Sequence, residues 1–398
     1  MADPEQRDRA ERAFDPLVLD TEREPHGLYA RMRAECPVAH SDAFGGFWAV
    51  FGYDDVRRVL TEPDFITSVQ NIVPKIAFTG RRPPLHLDPP EHTVYRRVLQ
   101  PLISPARVAE VVPVLRAYAE EWLAPLLERG RGDYGEEFAS VYPILAFARF
   151  LNVTDEMMYR IRDQFDLFNT AIKDDDAERM VTASMALYDI TRELVARRTE
   201  FPEAPATDPT SALLAARVDG EPLPIDMVVG TVRQVLLVGI VAPRFVLGSM
   251  VAHLARDRDL QDLLRARPER IPDAIEELLR LYSPYRGFAR TSRCDVEIGG
   301  RLIKKDEPIA MVFTSANRDE TVFEAPDEFR FGRAEKHIAF GLGSHQCPGA
   351  PWARMELQIA LEHLLATTTS FALDGPVDMT RWPEFGATSV PLRLERAG

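Results

Sequence analysis

One cysteine framed by glycines constrains this chain more than any other feature. Cys347 lies in the run Phe-Gly-Leu-Gly-Ser-His-Gln-Cys-Pro-Gly at residues 340–349, and an apolar segment of helical character follows it. Glycines let the backbone turn tightly and allow a large flat ligand to come close. Backbone N–H groups and the dipole at a helix start stabilise a thiolate. The run therefore predicts a thiolate that serves as a nucleophile or as an axial ligand to haem iron, with a buried structural cysteine as the plain alternative.

The same run resembles the haem-binding signature of the cytochrome P450 monooxygenases, Phe-Gly-x-Gly-x-His-x-Cys-x-Gly. Such a pattern, with most of its positions fixed, seldom arises by chance. The resemblance implies that Cys347 is the axial ligand of haem b, in a loop that also contributes Phe340, His345 and Gly349 to cofactor binding. It also implies a mainly α fold with small β-sheets, the triangular prism of that family, formed by a single haem domain over residues 1–398. Residues 1–14 are expected to be a disordered tail.

Composition and charge restrict the partners and the compartment. Lys and Arg total 48 against 62 Asp and Glu, for a formal charge of −14, which argues against nucleic acid or an anionic membrane as the main partner. The three cysteines, Cys36, Cys294 and Cys347, do not make a disulfide framework and favour a reducing compartment. The charged N-terminus has no apolar core, and no long uninterrupted apolar stretch follows. We therefore expect a soluble, cytoplasmic protein without a signal peptide or membrane anchor, similar to the bacterial soluble members of the family.

Apolar periodicity predicts many helices and few strands. Helical segments are expected over residues 107–131, 136–175, 178–199, 225–256 and 271–282. Pro113 and Pro125 weaken the expectation that residues 107–131 form one unbroken helix, and Pro243 is expected to interrupt residues 225–256. Short strands are expected at residues 47–51 and 309–313. Residues 295–298, followed by two glycines, predict a hairpin.

Glu277 and Arg280 lie three residues apart and share one face of a predicted helix. An isolated pair of this kind is usually an ordinary surface ion pair worth about 0.2–0.5 kcal/mol. The P450 family carries Glu-x-x-Arg at this distance before its cysteine loop, completed by a downstream arginine, for which Arg333 is the candidate. The resemblance therefore implies a buried structural charge network on the thiolate side, where the loss of one partner is costly.

His92 and Arg96 lie four residues apart after a proline turn, so they can bind one anion together. Without further context, a solvated basic helix face explains them equally well. The family's His-x-x-x-Arg at this position contacts the haem propionates. Arg290 and His345 match two further propionate contacts of the family. Four such groups for two carboxylates make chemical sense, since an unpaired propionate in a partly dry site is costly.

The long apolar helix at residues 225–256 departs from the family pattern. The family carries Ala/Gly-Gly-x-Asp/Glu-Thr there, and the acid and the alcohol relay protons during oxygen activation. This chain has Val-Gly-Ile-Val-Ala-Pro-Arg at residues 238–244, so Val241 and Ala242 replace that pair. Pro243 has no N–H, so the Gly239 carbonyl is expected to lose its helical partner and to hold a water at a kink. That water, Arg244 or a substrate hydroxyl then supplies the proton, unless Pro243 and Arg244 are only a kink and a surface charge.

Apolar side chains in segments that the family uses for its distal pocket predict a cavity of modest volume. Any one of these side chains is more often plain core, but together they suit a small aromatic or terpenoid-like substrate. The predicted lining is Ile76, Phe78, Phe165, Phe168, Ile240, Val241, Phe288 and Phe385.

These features together predict a haem–thiolate monooxygenase that hydroxylates or O-dealkylates a small hydrophobic molecule with O2. Because the chain carries no flavin or iron–sulfur motif, its electrons are expected from a separate ferredoxin and ferredoxin reductase. The missing acid–alcohol pair favours an alternative, a peroxide-driven or non-oxygenating P450 that performs coupling or specialised biosynthetic chemistry. A haem-binding sensor or carrier and a haem-free cysteine nucleophile are the remaining alternatives.

Overall fold

A computed structural model describes residues 14–16, 25–75, 80–174 and 176–397. The predicted pocket residues Ile76 and Phe78, and residues 1–13 of the predicted tail, lie outside the described residues. The fold is mainly α with small sheets, 55% of it helical, which confirms the predicted fold class.

The helices, in chain order, are α1 (His26–Glu35), α2 (Tyr53–Thr61), α3 (Glu91–Leu99), α4 (Pro105–Arg129), α5 (Tyr142–Leu151), α6 (Asp155–Lys173), α7 (Ala177–Glu200), α8 (Pro209–Ala215), α9 (Ile225–Leu254), α10 (Arg258–Ala266), α11 (Ile271–Leu281), α12 (Phe313–Ala316) and α13 (Ala350–Thr367).

The strands are short, and they are β1 (Val38–Ser41), β2 (Phe47–Val50), β3 (Phe65–Ile66), β4 (Arg131–Asp133), β5 (Arg217–Val218), β6 (Glu221–Pro222), β7 (Phe288–Ser292), β8 (Val296–Ile298), β9 (Arg301–Ile303), β10 (Pro308–Met311), β11 (Thr368–Leu373), β12 (Asp378–Met379), β13 (Ala387–Ser389) and β14 (Pro391–Arg396).

The chain divides into two compact units, each assembled from three separate segments. The first unit contains residues 1–76, 276–347 and 379–386, and the second contains residues 77–275, 348–378 and 387–398. The expectation of a single haem domain stays a prediction.

The first unit is built on a five-stranded sheet of order β1-β2-β10-β7-β3, in which β10 runs parallel to β2 and antiparallel to β7. Successive side chains of a strand point to opposite faces of the sheet. Ala49 and Ala310 accordingly join one apolar cluster, while Val50 and Ile309 join another. Phe14, which the sequence analysis placed in the disordered tail, is buried in the first of these clusters.

The predicted glycine hairpin also belongs to the first unit and is confirmed. Strands β8 and β9 pair antiparallel, with Val296 opposite Ile303. Gly299 and Gly300, between them, have φ angles of 55° and 74°. Two consecutive left-handed residues are the geometry that a two-residue hairpin turn requires, and glycine adopts it without steric cost.

The second unit surrounds α9, which packs against α5, α6, α7, α8 and α13. A three-stranded sheet of order β11-β14-β4 completes it. Within the described residues, α9 has the length and apolar composition of a membrane span, and a bent pair formed by Glu91–Ile103 and Pro105–Arg129 passes the same test as one element. The most apolar window of α9 is 78% buried inside the protein, as expected of a core helix.

Two helix predictions need correction. Helix α4 runs unbroken through Pro113 and Pro125, because both prolines lie on its exposed face, where water can satisfy the carbonyls that they leave without an N–H. The segment 136–175 is not one helix, since Asn152 ends α5 with a left-handed φ of 52°. The next helix, α7, begins at Ala177, one residue before the predicted start at residue 178, and the Asp176 side chain caps it by accepting from the Arg179 N–H.

Candidate active site

The cysteine loop, in the first unit, is closed by its own backbone. The Cys347 N–H donates to the Phe340 carbonyl at 2.8 Å. Gly341 and Gly343 have φ angles of 68° and 70°, in the left-handed region that glycine adopts without strain. A Cβ at Gly343 would lie 2.7 Å from the Leu60 carbonyl oxygen, closer than real Cβ atoms approach. The sequence therefore needs glycine at residue 343 both for backbone conformation and for space.

Two of the four predicted propionate contacts share this unit with the cysteine. The Cys347 side chain is exposed. His345 is half-buried, and its Nε2 lies 3.3 Å from the Thr67 hydroxyl. Arg290, on β7, is buried and donates from Nη1 to the Ala289 carbonyl at 2.9 Å. The unit thus presents an accessible sulfur together with one imidazole and one guanidinium.

The two aromatic pocket candidates of the first unit differ in exposure. Phe385 is 1% exposed, and the Arg286 guanidinium lies 5.4 Å above its ring. Phe288 is half-buried, with its ring centroid 4.1 Å from that of Tyr285. Burial, with the Cys347 charge among the lesser causes, raises the pKa of Tyr285. Phe288 therefore has surface to offer a ligand, whereas Phe385 is held in the core.

Glu277 is the acceptor at the centre of a buried arginine network in the first unit. It accepts hydrogen bonds from Arg280 at 2.9 and 2.8 Å, from Arg333 Nε at 2.8 Å and from the Arg330 backbone N–H at 3.0 Å. Arg280 and Arg333 donate their other N–H groups to backbone carbonyls between residues 317 and 328. Burial raises the pKa of Glu277, but the hydrogen bonds from Arg280 and Arg333 outweigh it and hold the pKa below its ordinary value. The network fixes the segment that leads into the cysteine loop.

The remaining cofactor candidates lie in the second unit. His92 and Arg96 occupy successive turns of α3, with His92 buried and Arg96 half-buried. The His92 N–H donates to the Asp88 carbonyl at 3.1 Å, which anchors the start of that helix. Gly349 stands at the N-terminus of α13, where its carbonyl accepts from the Ala353 N–H at 2.9 Å. His92 and Arg96 thus share one helix face, as their spacing predicts.

The predicted interruption of α9 is wrong. The helix runs from Ile225 to Leu254 through Pro243 without a break. A Cβ at Gly239 would lie 2.2 Å from the ring of Phe147. Gly239 is therefore required because an aromatic ring packs directly on the helix backbone, a role that differs from the predicted weakening of the helix.

The open face of α9 includes one of the residues that the sequence analysis singled out. Val238 is 48% exposed and Ala242, one turn later, is half-buried. Ile240 and Val241 are 2% and 6% exposed. Val238 and Ala242 therefore have surface to offer a ligand, and the predicted lining by Ile240 and Val241 stays a prediction.

Arg244 has a partner on another helix. Its Nη1 lies 3.3 Å from Asp166 Oδ1, on the half-exposed side of α6. Because this carboxylate compensates the guanidinium charge, the arrangement favours a structural ion pair over the proton donor that the sequence suggested.

The aromatic pair predicted on α6 is buried. Phe165 and Phe168 have ring centroids 6.5 Å apart, while Leu167 between them is 50% exposed. The predicted contact of this pair with a ligand stays a prediction.

Sequence reasoning missed one buried acid in the second unit. Glu356, on α13, is fully buried, and neither carboxylate oxygen has a hydrogen-bond partner among the described residues. Burial raises its pKa well above the ordinary value, and the nearby Trp352 N–H opposes the shift only in part. No sequence signal marks Glu356, because a glutamate within a helix is usually solvated.

The residues present fit a haem–thiolate centre. Within the first unit, Cys347 supplies an exposed sulfur in a loop closed by the hydrogen bond from its own N–H to the Phe340 carbonyl. Arg290 of the same unit is a buried guanidinium, the type of group that binds a propionate.

Three comparisons identify similar proteins. The family model for cytochrome P450 matches residues 136–395. Cytochrome P450 109 of Bacillus spizizenii is 30% identical, over 93% of this chain and 92% of that protein. Linalool 8-monooxygenase of Pseudomonas putida is also 30% identical, over 89% of this chain and 91% of that protein. The solved structure of CYP109Q5 from Chondromyces apiculatus has a TM-score of 0.84 at 28% identity and covers 96% of this chain and 98% of its own.

Proposed function

The chain belongs to the cytochrome P450 family, and from that premise we propose that this haem monooxygenase hydroxylates or O-dealkylates a small hydrophobic molecule, aromatic or terpenoid-like. The observation that carries the proposal is the exposed Cys347 sulfur in its glycine loop. The apolar open face of Val238 and Ala242 supports a hydrophobic substrate, as does the similarity to a linalool 8-monooxygenase.

We assign haem b to this site, where the Cys347 thiolate would hold the iron and His92, Arg96, Arg290 and His345 would bind the propionates. When bound, the haem would supply the chemistry of oxygen activation, which the electron density of the thiolate would favour. Arg290 and His92 would neutralise carboxylates that are otherwise costly to bury.

Proton supply is the step for which this chain lacks the family's residues. Val241 and Ala242 carry no titratable or hydroxyl group, and Arg244 is held by Asp166. Pro243 offers no N–H to the Gly239 carbonyl, so that oxygen is available to a water or to a hydroxyl of the substrate. The proposal is that the substrate, or a water at this carbonyl, delivers the proton.

Electrons are proposed to come from a ferredoxin and its reductase on separate chains. One-electron carriers of this kind dock by electrostatic complementarity. An acidic carrier needs cationic contacts, and the exposed Arg97 on α3 is a candidate for one of them.

The thiolate assignment is tested by the absorption spectrum of the ferrous carbon monoxide complex. Replacing Cys347 by serine should abolish the long-wavelength Soret band that thiolate ligation produces. Cys294 is also exposed, so Cys294→Ser is the matched control and should leave the band unchanged. A thiolate spectrum that survives in Cys347→Ser would overturn the assignment.

A second candidate is a peroxide-driven enzyme, favoured by Val241 and Ala242. Product formation with hydrogen peroxide alone should then exceed that with NADPH, ferredoxin and reductase. In that case, placing a hydroxyl on the open face by Ala242→Thr should shift activity towards the reductase-supported reaction. Reductase-supported turnover that equals or exceeds the peroxide reaction in the unmodified enzyme would dismiss this candidate.

A further inference from the structure

Arg233, in the second unit, is a buried cation with unused hydrogen-bond donors. It lies on α9 and is 1% exposed. Its Nη2 donates to the Ser184 hydroxyl at 2.9 Å, and its guanidinium lies 4.7 Å above the ring of Tyr188. Its Nε and Nη1 have no hydrogen-bond partner within the part of the chain that the structure describes. Buried polar groups in native proteins are almost always paired, so two unpaired donors on a charged group require an explanation.

A second arginine, Arg82, lies close enough to Arg233 for the two positive charges to interact. The Nη2 atom of Arg82 lies 2.7 Å from His86 Nε2. Burial, and then the charge of Arg233, lowers the pKa of Arg82 to about 9, and burial lowers the pKa of Arg233 to about 10. Burial also lowers the pKa of His86 to about 3, so that imidazole stays neutral. Across residues 14–16, 25–75, 80–174 and 176–397, neither arginine forms an ion pair with a carboxylate.

Two glycines beside this site allow close packing of the chain. A Cβ at Gly80 would lie 2.8 Å from the Tyr188 hydroxyl, and a Cβ at Gly230 would lie 1.9 Å from the Arg81 carbonyl. The segment that carries Arg82 is therefore held tightly against both α7 and α9. The Tyr188 hydroxyl is buried and has no hydrogen-bond partner in the described ranges. The site offers two guanidinium groups and one phenol, all fixed before any ligand arrives.

We propose that Arg233 and Arg82 bind the carboxylate of a small organic acid, on the face of α9 that meets α7. A guanidinium that keeps its charge in a buried site binds a carboxylate strongly, because the anion removes the cost of the unpaired cation. The Tyr188 hydroxyl is placed to donate a further hydrogen bond.

Arg233 precedes Val238 by five residues and Ala242 by nine residues on the same helix. At about 100° per residue, these positions lie about 140° and about 180° around the helix from Arg233. The acid therefore binds on the face of α9 that meets Ser184 and Tyr188 of α7, at a site separate from the open face of Val238 and Ala242.

The test uses the haem-loaded enzyme in a buffer without other carboxylates. Thermal unfolding and the Soret band are recorded with benzoate and cyclohexanecarboxylate, with their neutral amides, and with formate. The variants are Arg233→Gln and Arg82→Gln. The matched control is Arg192→Gln, because Arg192 also lies over the Tyr188 ring, at 5.6 Å, but is exposed and paired with Asp189.

The expected result has three parts. The acids stabilise the enzyme against thermal unfolding while their amides do not, and the Soret band stays unchanged because the site lies on a different face of α9 from Val238 and Ala242. Arg233→Gln weakens acid binding roughly 10- to 100-fold, as the loss of a charge-assisted hydrogen bond requires, and Arg192→Gln does not. Without ligand, Arg233→Gln is more stable than the parent, because an uncompensated buried cation is gone. A merely structural arginine would instead destabilise the protein when replaced.

Three results would overturn the proposal. Equal stabilisation by acids and amides, or loss of unliganded stability in Arg233→Gln with unchanged acid binding, would reject the site. A Soret shift with the acids that persists in Arg233→Gln would place the acid elsewhere in the enzyme. The unfolding measurement does not depend on thiolate ligation, so its failure is distinguishable from a failure of the carbon monoxide test.

Discussion

Replacing Glu277 by glutamine is expected to destabilise the protein by about 3–5 kcal/mol, the cost of breaking a buried ion pair by removing one partner. The carboxylate accepts four hydrogen bonds, three of them from the guanidinium groups of Arg280 and Arg333. Glutamine keeps the shape of the side chain, but its NH2 group would face an N–H of Arg280, so that two donors would meet without an acceptor. Arg280 is 1% exposed, so water does not replace the lost charge. The unfolding equilibrium constant should rise by about two to four orders of magnitude.

The same carboxylate gives stability a definite pH dependence. Its pKa in the folded protein is depressed below the ordinary value of 4.5. Stability from Glu277 is therefore complete above the unfolded pKa and is lost as the pH falls through the folded pKa. Below pH 4.5 the parent should lose stability faster than Glu277→Gln, so the difference between them should shrink towards acid pH.

Urea unfolding followed by circular dichroism measures this difference, provided that the slope with denaturant is unchanged. Asp262→Asn is the matched control. Asp262 accepts two hydrogen bonds from Arg258, at 3.0 and 2.9 Å, and one from Arg265, but it is exposed, so its loss should shift the midpoint little. Equal midpoint shifts for the two variants, or a Glu277→Gln difference that does not shrink as the pH falls from about 4.5 to about 2, would refute the reasoning.

Three further substitutions follow from close packing and burial. Gly343→Ala should lower the fraction of haem-loaded protein, measured by Soret absorbance per chain, far more than Gly300→Ala. Both glycines have a left-handed backbone, but of the two only Gly343 lacks room for a Cβ, because a backbone carbonyl lies beside it. Equal losses in the two variants would contradict the argument. Gly239→Ala should cost about 1–3 kcal/mol in urea unfolding through overpacking, whereas Gly27→Ala, in open space on α1, should be neutral or stabilising. Glu356→Gln should stabilise the protein by about 1–3 kcal/mol at neutral pH. Because burial raises the pKa of Glu356, the parent protein loses stability as the pH rises above 4.5, and the glutamine variant does not. A stability gain that does not change with pH would show that ionisation of Glu356 is not the cause.

Residues whose roles are set by local spacing could be predicted from the sequence. The fixed positions around Cys347 indicated a closed loop, and the i,i+3 spacing of Glu277 and Arg280 indicated one helix face. The structure brings Arg333 to the same carboxylate over 56 residues. Only the resemblance to a family could suggest that long-range partner, because nothing in the intervening sequence fixes the distance.

Residues whose roles depend on neighbouring elements could not be predicted. Val238 and Ile240 are equally apolar, and α9 is apolar on every side, so its sequence does not mark the side left open. Gly239 indicated a weak point in a helix, but its cause is the Phe147 ring, 92 residues earlier. Arg233 looked like an ordinary charged residue until its burial and its unpaired donors were known.

The division of the chain into interleaved segments has a consequence for how the protein is made. The first unit includes residues 379–386, so its last segment leaves the ribosome only after residues 77–275 and 348–378 of the second unit have been made. Until then, Phe47 lacks Trp382, whose ring lies 5.8 Å away in the finished structure, and the apolar cluster beneath the first sheet stays incomplete. A nascent chain must hold that exposed surface for most of its synthesis, when aggregation competes with folding. Truncation just before residue 379 should therefore remove far more folded protein than the loss of 20 residues suggests, and no single cut in the chain would release either unit whole.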